Sequence, residues 1–388
     1  MGASLDTLSF PSRHPASKQP ASLLPTLPGN DYTSPEVFDR DQAAVFARSW
    51  ICIGRADQVV TRGAFLRADV AGQDVFVVRG RDGRLRGFKN LCRHRGAVLC
   101  TDDGGTFGNA IRCTYHAWTY GLDGQLVTAP NMTDMPDLVK ADHGLLGVRA
   151  EEWLGYVWVT LDAAAADLDQ QMRPQLEARL GDPGTLDRYG ISDLIAGHTI
   201  TYDVASNWKS ITENFMECYH CATIHPELTA ALPQFASGYG TVSGGMGAGA
   251  VLADDRAAFT LSGRAAHRRL PGLLDSDARL FDGIVLRPNA FIILVPDHVL
   301  FFRADPMAAG HTRVVVDWLF HPDEVRRPGF DPADSVRIMD ITNRQDFAAC
   351  ERCHAGMRSP DYRGVLVPAE HVICDFYDWY RQMTGAAA

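Results

Sequence analysis

The rhythm of apolar and polar positions changes several times along the chain. Residues 1–30 have no periodicity and carry Pro11, Pro15, Pro20, Pro25 and Pro28, which predicts an extended arm. Ser34 and Pro35 then open "SPEVFDRDQAAVFARSW", where apolar residues recur at helical spacing, so a helix is predicted over 34–50. From 51 to 160 the texture becomes strand-like. "QDVFVVRGRDGRLRGFKNLC" reads as two strands about a turn at Arg81-Asp82-Gly83, and "GQLVTAP" and "LLGVRAEEWLGYVWVTL" continue with short strands and glycine turns. Helical spacing returns over 163–187. After 195 the elements mix. "HTITYDV", "FDGIVLRPNAFIILVPDHVLFFRADP" and "TRVVVDWLFHP" read as strands, while 206–220, 331–356 and 369–384 read as helices. The pattern predicts an all-β unit followed by an α+β unit with an antiparallel sheet.

Composition narrows the class. The chain has 388 residues, 46% hydrophobic and 22% charged, ordinary for a globular protein and ample for two domains. A net charge of −10 argues against a general nucleic-acid binder. No basic-then-apolar leader and no apolar run of membrane-spanning length is present, so a cytoplasmic protein without membrane attachment is expected. Nine cysteines then predict reduced thiols rather than a disulfide framework.

Two groups of residues carry chemistry. In the β unit, Cys92-x-His94 and Cys113-x-x-His116 each place one cysteine and one histidine in a short loop. Zinc sites usually keep the two cysteines together and the two histidines together. A Rieske [2Fe–2S] centre instead needs two cysteines on one iron and two histidines on the other, which two such loops supply. Cys52 and Cys100 read as small buried hydrophobes.

The second group is "ENFMECYHCATIHPE" at 213–227. On a helix Glu213, Glu217 and His220 would share one face. His225 would point about 140° away from His220 on the same helix, but Pro226 disfavours helix at His225. A break there lets both histidines reach one ion. Two histidines and one carboxylate make the facial triad of non-haem Fe(II) oxygenases, and the helix near 340 offers Asp340 and Asp346. Cys218-x-x-Cys221 is expected to be no redox pair, because it would sit in mid-helix. His298, His311, His321 and His371 read as structural.

These residues, with Trp118, Asn207-Trp208-Lys209 and Asn214, resemble the oxygenase (alpha) component of Rieske non-haem iron oxygenases, over about residues 32–384. The resemblance implies three parts. Residues 1–45 would be an arm and helix packed with the catalytic domain, 46–160 a Rieske domain, and 161–388 a mononuclear-iron domain of helix-grip type. It implies Asp346 as the third iron ligand and Asn214 and Glu213 as neighbours of the ligands. It implies Glu217 as an electron bridge to His116 of an adjacent subunit, hence a homotrimer.

The motif "ENFMECYHC…HPEL" is similar to the branch acting on quaternary ammonium compounds: glycine betaine, stachydrine and carnitine. His298 and His354 depart from that branch's pattern. The expected reaction is O2-dependent oxidation of an N-methyl group, with formaldehyde released. Electrons would come from NAD(P)H through a separate flavin/ferredoxin-type reductase. Hydroxylation of an aromatic or natural-product substrate and pure electron transfer are the alternatives. A cationic substrate favours aromatic faces, and Tyr202, Phe215, Phe259, Phe291 and Phe301 are candidates. Residues 79–95 hold Arg79, Arg81, Arg84, Arg86, Lys89, Arg93 and Arg95 against one acid, Asp82, an expected dock for an acidic electron donor.

Overall fold

The computed structural model describes residues 23–132, 135, 137–182, 184–238 and 247–385. Most of the arm predicted over 1–30 lies outside them. The helix predicted over 34–50 is Pro35–Ala44, capped by the Ser34 hydroxyl, which accepts from Val37 N.

The β unit is a seven-stranded sheet with a three-stranded companion. In spatial order its strands are Ile51–Arg55, Tyr156–Thr160, Gly147–Trp153, Leu85–Lys89, Gln73–Arg79, Ala64–Val70 and Gly104–Thr106. Ile111–Arg112, Thr119–Tyr120 and Leu126–Thr128 form the companion, and the two candidate cluster loops lie before and within it.

The second unit is a six-stranded antiparallel sheet. It runs Ile195–Val204, His311–Phe320, His298–Ala308, Ala290–Val295, Leu280–Leu286 and Gly249–Val251. Its central strand Ala290–Val295 is buried at every position, because both faces are covered. Phe291, Ile293 and Val295 face one core, which also contains residues of the helices Trp208–Met216 and Ala333–Met357. Ala290, Ile292 and Leu294 face a second core shared with Trp158 and Tyr156 of the β unit. Tyr156 ties the units together: its ring stacks on Phe301 at 3.7 Å and its hydroxyl donates to Asp317 Oδ2 at 2.7 Å.

The helix Trp208–Met216 carries the site and is anchored from below. Lys209 and Asp41, both fully buried, form an ion pair, and Asp41 also accepts from the Tyr380 hydroxyl at 2.7 Å. Asp41 lies on the helix Pro35–Ala44 and Tyr380 on Val372–Thr384, so three helices are tied at one carboxylate.

This helix is shorter than its sequence pattern predicts. It ends at Met216, and Glu217 is extended at φ −123° and ψ 164°. Glu213, Glu217 and His220 therefore do not share a helical face. The chain turns at Tyr219 and His220, restarts as Cys221–Ile224, and breaks again at His225 ahead of Pro226. The turn is closed by a Cys218–Cys221 disulfide, which corrects the expectation of unpaired thiols in mid-helix. Seven other cysteines are free.

Candidate active site

His220 and His225 lie on either side of the short helix Cys221–Ile224, and Asp346 faces them from the middle of Ala333–Met357. One nitrogen of each histidine and one carboxylate oxygen lie within 4.8 Å of one another. His225 Nε2 is 2.8 Å and His220 Nε2 3.2 Å from the same Asp346 oxygen. Asn214 Nδ2 donates to that oxygen at 3.1 Å and so orients the carboxylate. The outer nitrogens are fixed as well. His225 Nδ1 donates to Gln345 Oε1 at 2.7 Å, and His220 Nδ1 lies 2.5 Å from Glu217 Oε1. Each ring thus turns its Nε2 toward the centre, the arrangement that a metal-binding histidine needs.

The electrostatics ask for a cation. Burial opposes charge on His220, yet hydrogen bonds to Asp346 and Glu217 outweigh it and hold the imidazolium up to about 10. Burial likewise penalises the Asp346 carboxylate, but both histidines pull it below the usual range. Three converging donors of these kinds suit a divalent iron. Asp340, the other carboxylate considered, accepts from the Tyr202 hydroxyl at 2.7 Å and pairs with Arg344, away from the triad.

In the β unit the two loops meet. The His94 and His116 rings are 4.7 Å apart, and His94 stacks on Trp118 at 5.0 Å. Cys92 and Cys113 are buried while both histidines are exposed. Each loop is a tight turn: Gly96, at φ +73°, donates to Cys92 O, and Ala117, at φ +56°, donates to Cys113 O. Among the described residues only the His220 triad gathers three donors within single-ion distance. The four loop residues are spread more widely, which fits a two-iron cluster better than one zinc. Buried thiols on one side and exposed imidazoles on the other match the two unlike irons of a Rieske centre. Tyr120 was not singled out from the sequence. Its hydroxyl lies 3.2 Å from Cys92 Sγ and accepts from Arg93 N. Gln345 was missed too; its only sequence signal is adjacency to Asp346.

The remaining candidates separate. Glu213 touches no triad ligand among the described residues. It is buried against the helix Gly29–Thr33, accepts from the Tyr32 hydroxyl at 2.8 Å, and burial pushes it up to about 8. Phe215 stacks on Phe291 at 4.8 Å, with Phe302 at 5.6 Å completing an aromatic group between the helix Trp208–Met216 and the sheet. Phe301 belongs to the opposite face of the sheet, against Tyr156, because side chains alternate along a strand. Tyr202 is committed to Asp340, and Phe259 packs on Phe281 in the core. In the basic stretch Asp82 pairs with Arg86 at 2.8 Å and with Arg84 at 3.9 Å, and Glu152 pairs with Arg79; Arg84 stays 82% exposed.

Comparison with known proteins finds two matching family models. The family model of the Rieske [2Fe-2S] domain matches residues 49–140, and that of the ring hydroxylating alpha subunit catalytic domain matches 191–386. Such a pairing defines a Rieske non-haem iron oxygenase, an oxidoreductase with a [2Fe–2S] cluster and a mononuclear iron. The chain belongs to the ring-hydroxylating alpha subunit family. It is 28% identical to a glycine betaine monooxygenase oxygenase subunit from Pseudomonas aeruginosa, over 95% of this chain and 92% of that one. It is 34% identical to a carnitine monooxygenase oxygenase subunit from Escherichia coli, over 52% of each chain. The crystal structure of the quaternary ammonium Rieske monooxygenase CntA with L-carnitine superposes with a TM-score of 0.70 at 25% identity, covering 93% of this chain and 96% of that one. No helix among the described residues is long and apolar enough to cross a membrane.

Proposed function

We propose that the protein is the oxygenase component of a two-component monooxygenase that removes an N-methyl group from a small quaternary ammonium compound of the glycine betaine or stachydrine kind. The observation that carries this reading is the near full-length likeness to a glycine betaine monooxygenase oxygenase subunit. In it, Cys92, His94, Cys113 and His116 hold the cluster, and His220, His225 and Asp346 hold the iron. Bound there, the two centres supply electron storage and O2 activation.

The protein's own groups do the rest. Asn214 and Gln345 fix the ligand geometry. Glu217, hydrogen-bonded to His220 Nδ1, presents a carboxylate through which the His116 ring of a neighbouring subunit in a trimer connects to the iron ligand. Phe215, Phe291 and Phe302 offer aromatic faces to a permanent cation, each worth about 0.5–2 kcal/mol. Hydroxylation of one N-methyl group gives a carbinolamine, which collapses to formaldehyde, a proton and the tertiary amine. O2, two electrons and two protons supply the inserted oxygen and one water. The electrons come from NAD(P)H through a separate flavin/ferredoxin-type reductase, and the exposed Arg84 lies on the basic stretch that would receive it.

A single turnover tests this without the reductase. The iron-loaded protein is chemically reduced under argon, freed of reductant, mixed with pooled betaines, carnitine, choline and simple aromatics, and given O2. Loss of one methyl from a betaine, with formaldehyde, is expected. Oxygen added to an aromatic compound instead would overturn the substrate class.

A further inference from the structure

The sequence pattern carries helix through His220, yet the helix stops at Met216, two residues before a pair of bonded cysteines. Cys218 and Cys221 enclose a turn of Tyr219 and His220. The turn's backbone bond runs from Cys221 N to Cys218 O at 3.1 Å, and the disulfide closes the same ring through the side chains. One of the two enclosed residues is His220, and Cys221 Sγ lies 3.8 Å from its Nε2. Tyr219, at the tip, is 56% exposed, while Cys218 and Cys221 beneath it are buried, at 6% and 2%.

We propose that Cys218 and Cys221 are a reversible dithiol–disulfide pair whose closed form holds His220 in the triad. This rests on the reading of His220 as an iron ligand. Opening the bridge removes one of the constraints on the turn that interrupts the helix. The other groups that hold residues 217–220 are the Glu217 carboxylate, which accepts from Tyr219 N and His220 Nδ1, and the Asp346 carboxylate at His220 Nε2; the first proline is Pro226. A helix continued through His220 would swing its ring away from His225, as helical spacing requires. Two packings of one short segment, biased by a bond, make a switch.

Closure is written for hydrogen peroxide as oxidant. One thiolate attacks peroxide, the O–O bond breaks, and hydroxide leaves as a sulfenic acid forms. The second thiol displaces water from that sulfur, giving the S–S bond. Two thiols and one peroxide yield one disulfide and two waters. A dithiol reductant reverses this by thiol–disulfide exchange and takes up the disulfide itself.

The test uses the full chain with its cluster retained and the mononuclear site emptied by chelator under argon. One sample is treated with dithiothreitol and another with stoichiometric hydrogen peroxide, and both are desalted. Alkylation and peptide mass read the state of residues 218 and 221, and Fe(II) retention is titrated against a chelator. Two alkyl groups on the reduced segment and none on the oxidised one are expected, with iron held about tenfold more tightly by the oxidised sample. Cys218→Ser and Cys221→Ser should show the weaker retention after either treatment. Thiols that stay alkylatable after peroxide, or a bridge that dithiothreitol never opens, would overturn the pair. Equal iron retention in both states would overturn the coupling alone. Failure of both samples to bind iron would overturn the coupling together with the assignment of His220.

Discussion

His225 Nε2 lies 2.8 Å from Asp346 Oδ1, across 121 residues of chain. The contact is made possible by two local breaks, one at Glu217 and one at His225, which turn consecutive stretches of a helical sequence toward the middle of a distant helix. It brings a buried carboxylate between two imidazoles, and the electrostatics of the site follow from it.

The first consequence concerns protons. Without metal, His220 stays protonated up to about 10. Iron requires the neutral ring, so binding between about pH 7 and 9 should release close to one proton per site, and affinity should rise with pH across that window. Calorimetry of Fe(II) binding in buffers of different ionisation enthalpy measures the proton count. A count of zero at pH 7.5 would remove His220 from the ligand set.

Gln345 should matter through His225. Gln345→Leu removes the acceptor of His225 Nδ1–H and should weaken iron retention by roughly 10–100-fold, as loss of such partners does. Gln345→Glu keeps an acceptor and should retain iron. The cluster's visible spectrum should be unchanged in both. Equal iron contents in Gln345→Leu and the parent protein would show that the contact does not tune the site.

Glu217→Gln separates electron transfer from metal binding. Iron analysis should still give about three atoms per chain, two from the cluster and one from the triad. Reductase-coupled turnover should nearly vanish. Normal coupled turnover in this variant would take Glu217 out of the electron path.

The anchor beneath the site is a stability element. Asp41→Ala leaves the Lys209 ammonium buried without its carboxylate and should cost about 3–5 kcal/mol in denaturant unfolding. Asp31→Ala, which loses only the partly exposed contact to Arg40 at 3.5 Å, should cost less than about 1 kcal/mol. Similar losses for the two would contradict the buried pair as the anchor.

Glu213 gives the fold a pH dependence of its own. Folded, it keeps its proton to about 8; unfolded, it ionises near the ordinary value of 4.5. Between those values the native state binds more protons, so its contribution to stability falls as pH rises. Glu213→Gln has no proton to lose. The variant's stability relative to the parent should therefore improve between pH 5 and 8, by up to about 1.4 kcal/mol per pH unit. A difference that stays constant with pH would place the native carboxyl in the ordinary range.

The candidate ligand types and their spacing were legible in the sequence because they are local. Cys92-x-His94 and Cys113-x-x-His116 must lie in turns, and Pro226 must break the chain after His225. The hairpin about Arg81-Asp82-Gly83 and the antiparallel run from 280 to 320 follow from period-two patterning and short turns. The sequence also allowed too much. It offered Asp340 beside Asp346 and five aromatic residues for one pocket. It extended a helix through His220.

Only the tertiary structure decided among these. The face of a strand is fixed by what packs on it, so Phe291 points toward the site helix and Phe301 toward Tyr156. The choice of carboxylate depends on which turn of the long helix faces the histidines. The helix ends at Met216, and the turn that follows is held by partners the local pattern does not announce: the Cys218–Cys221 bond, and the Glu217 and Asp346 carboxylates on His220. Periodicity records which side of an element is apolar. Partners hundreds of residues apart, and cross-links that override propensity, are decided only when the chain has folded.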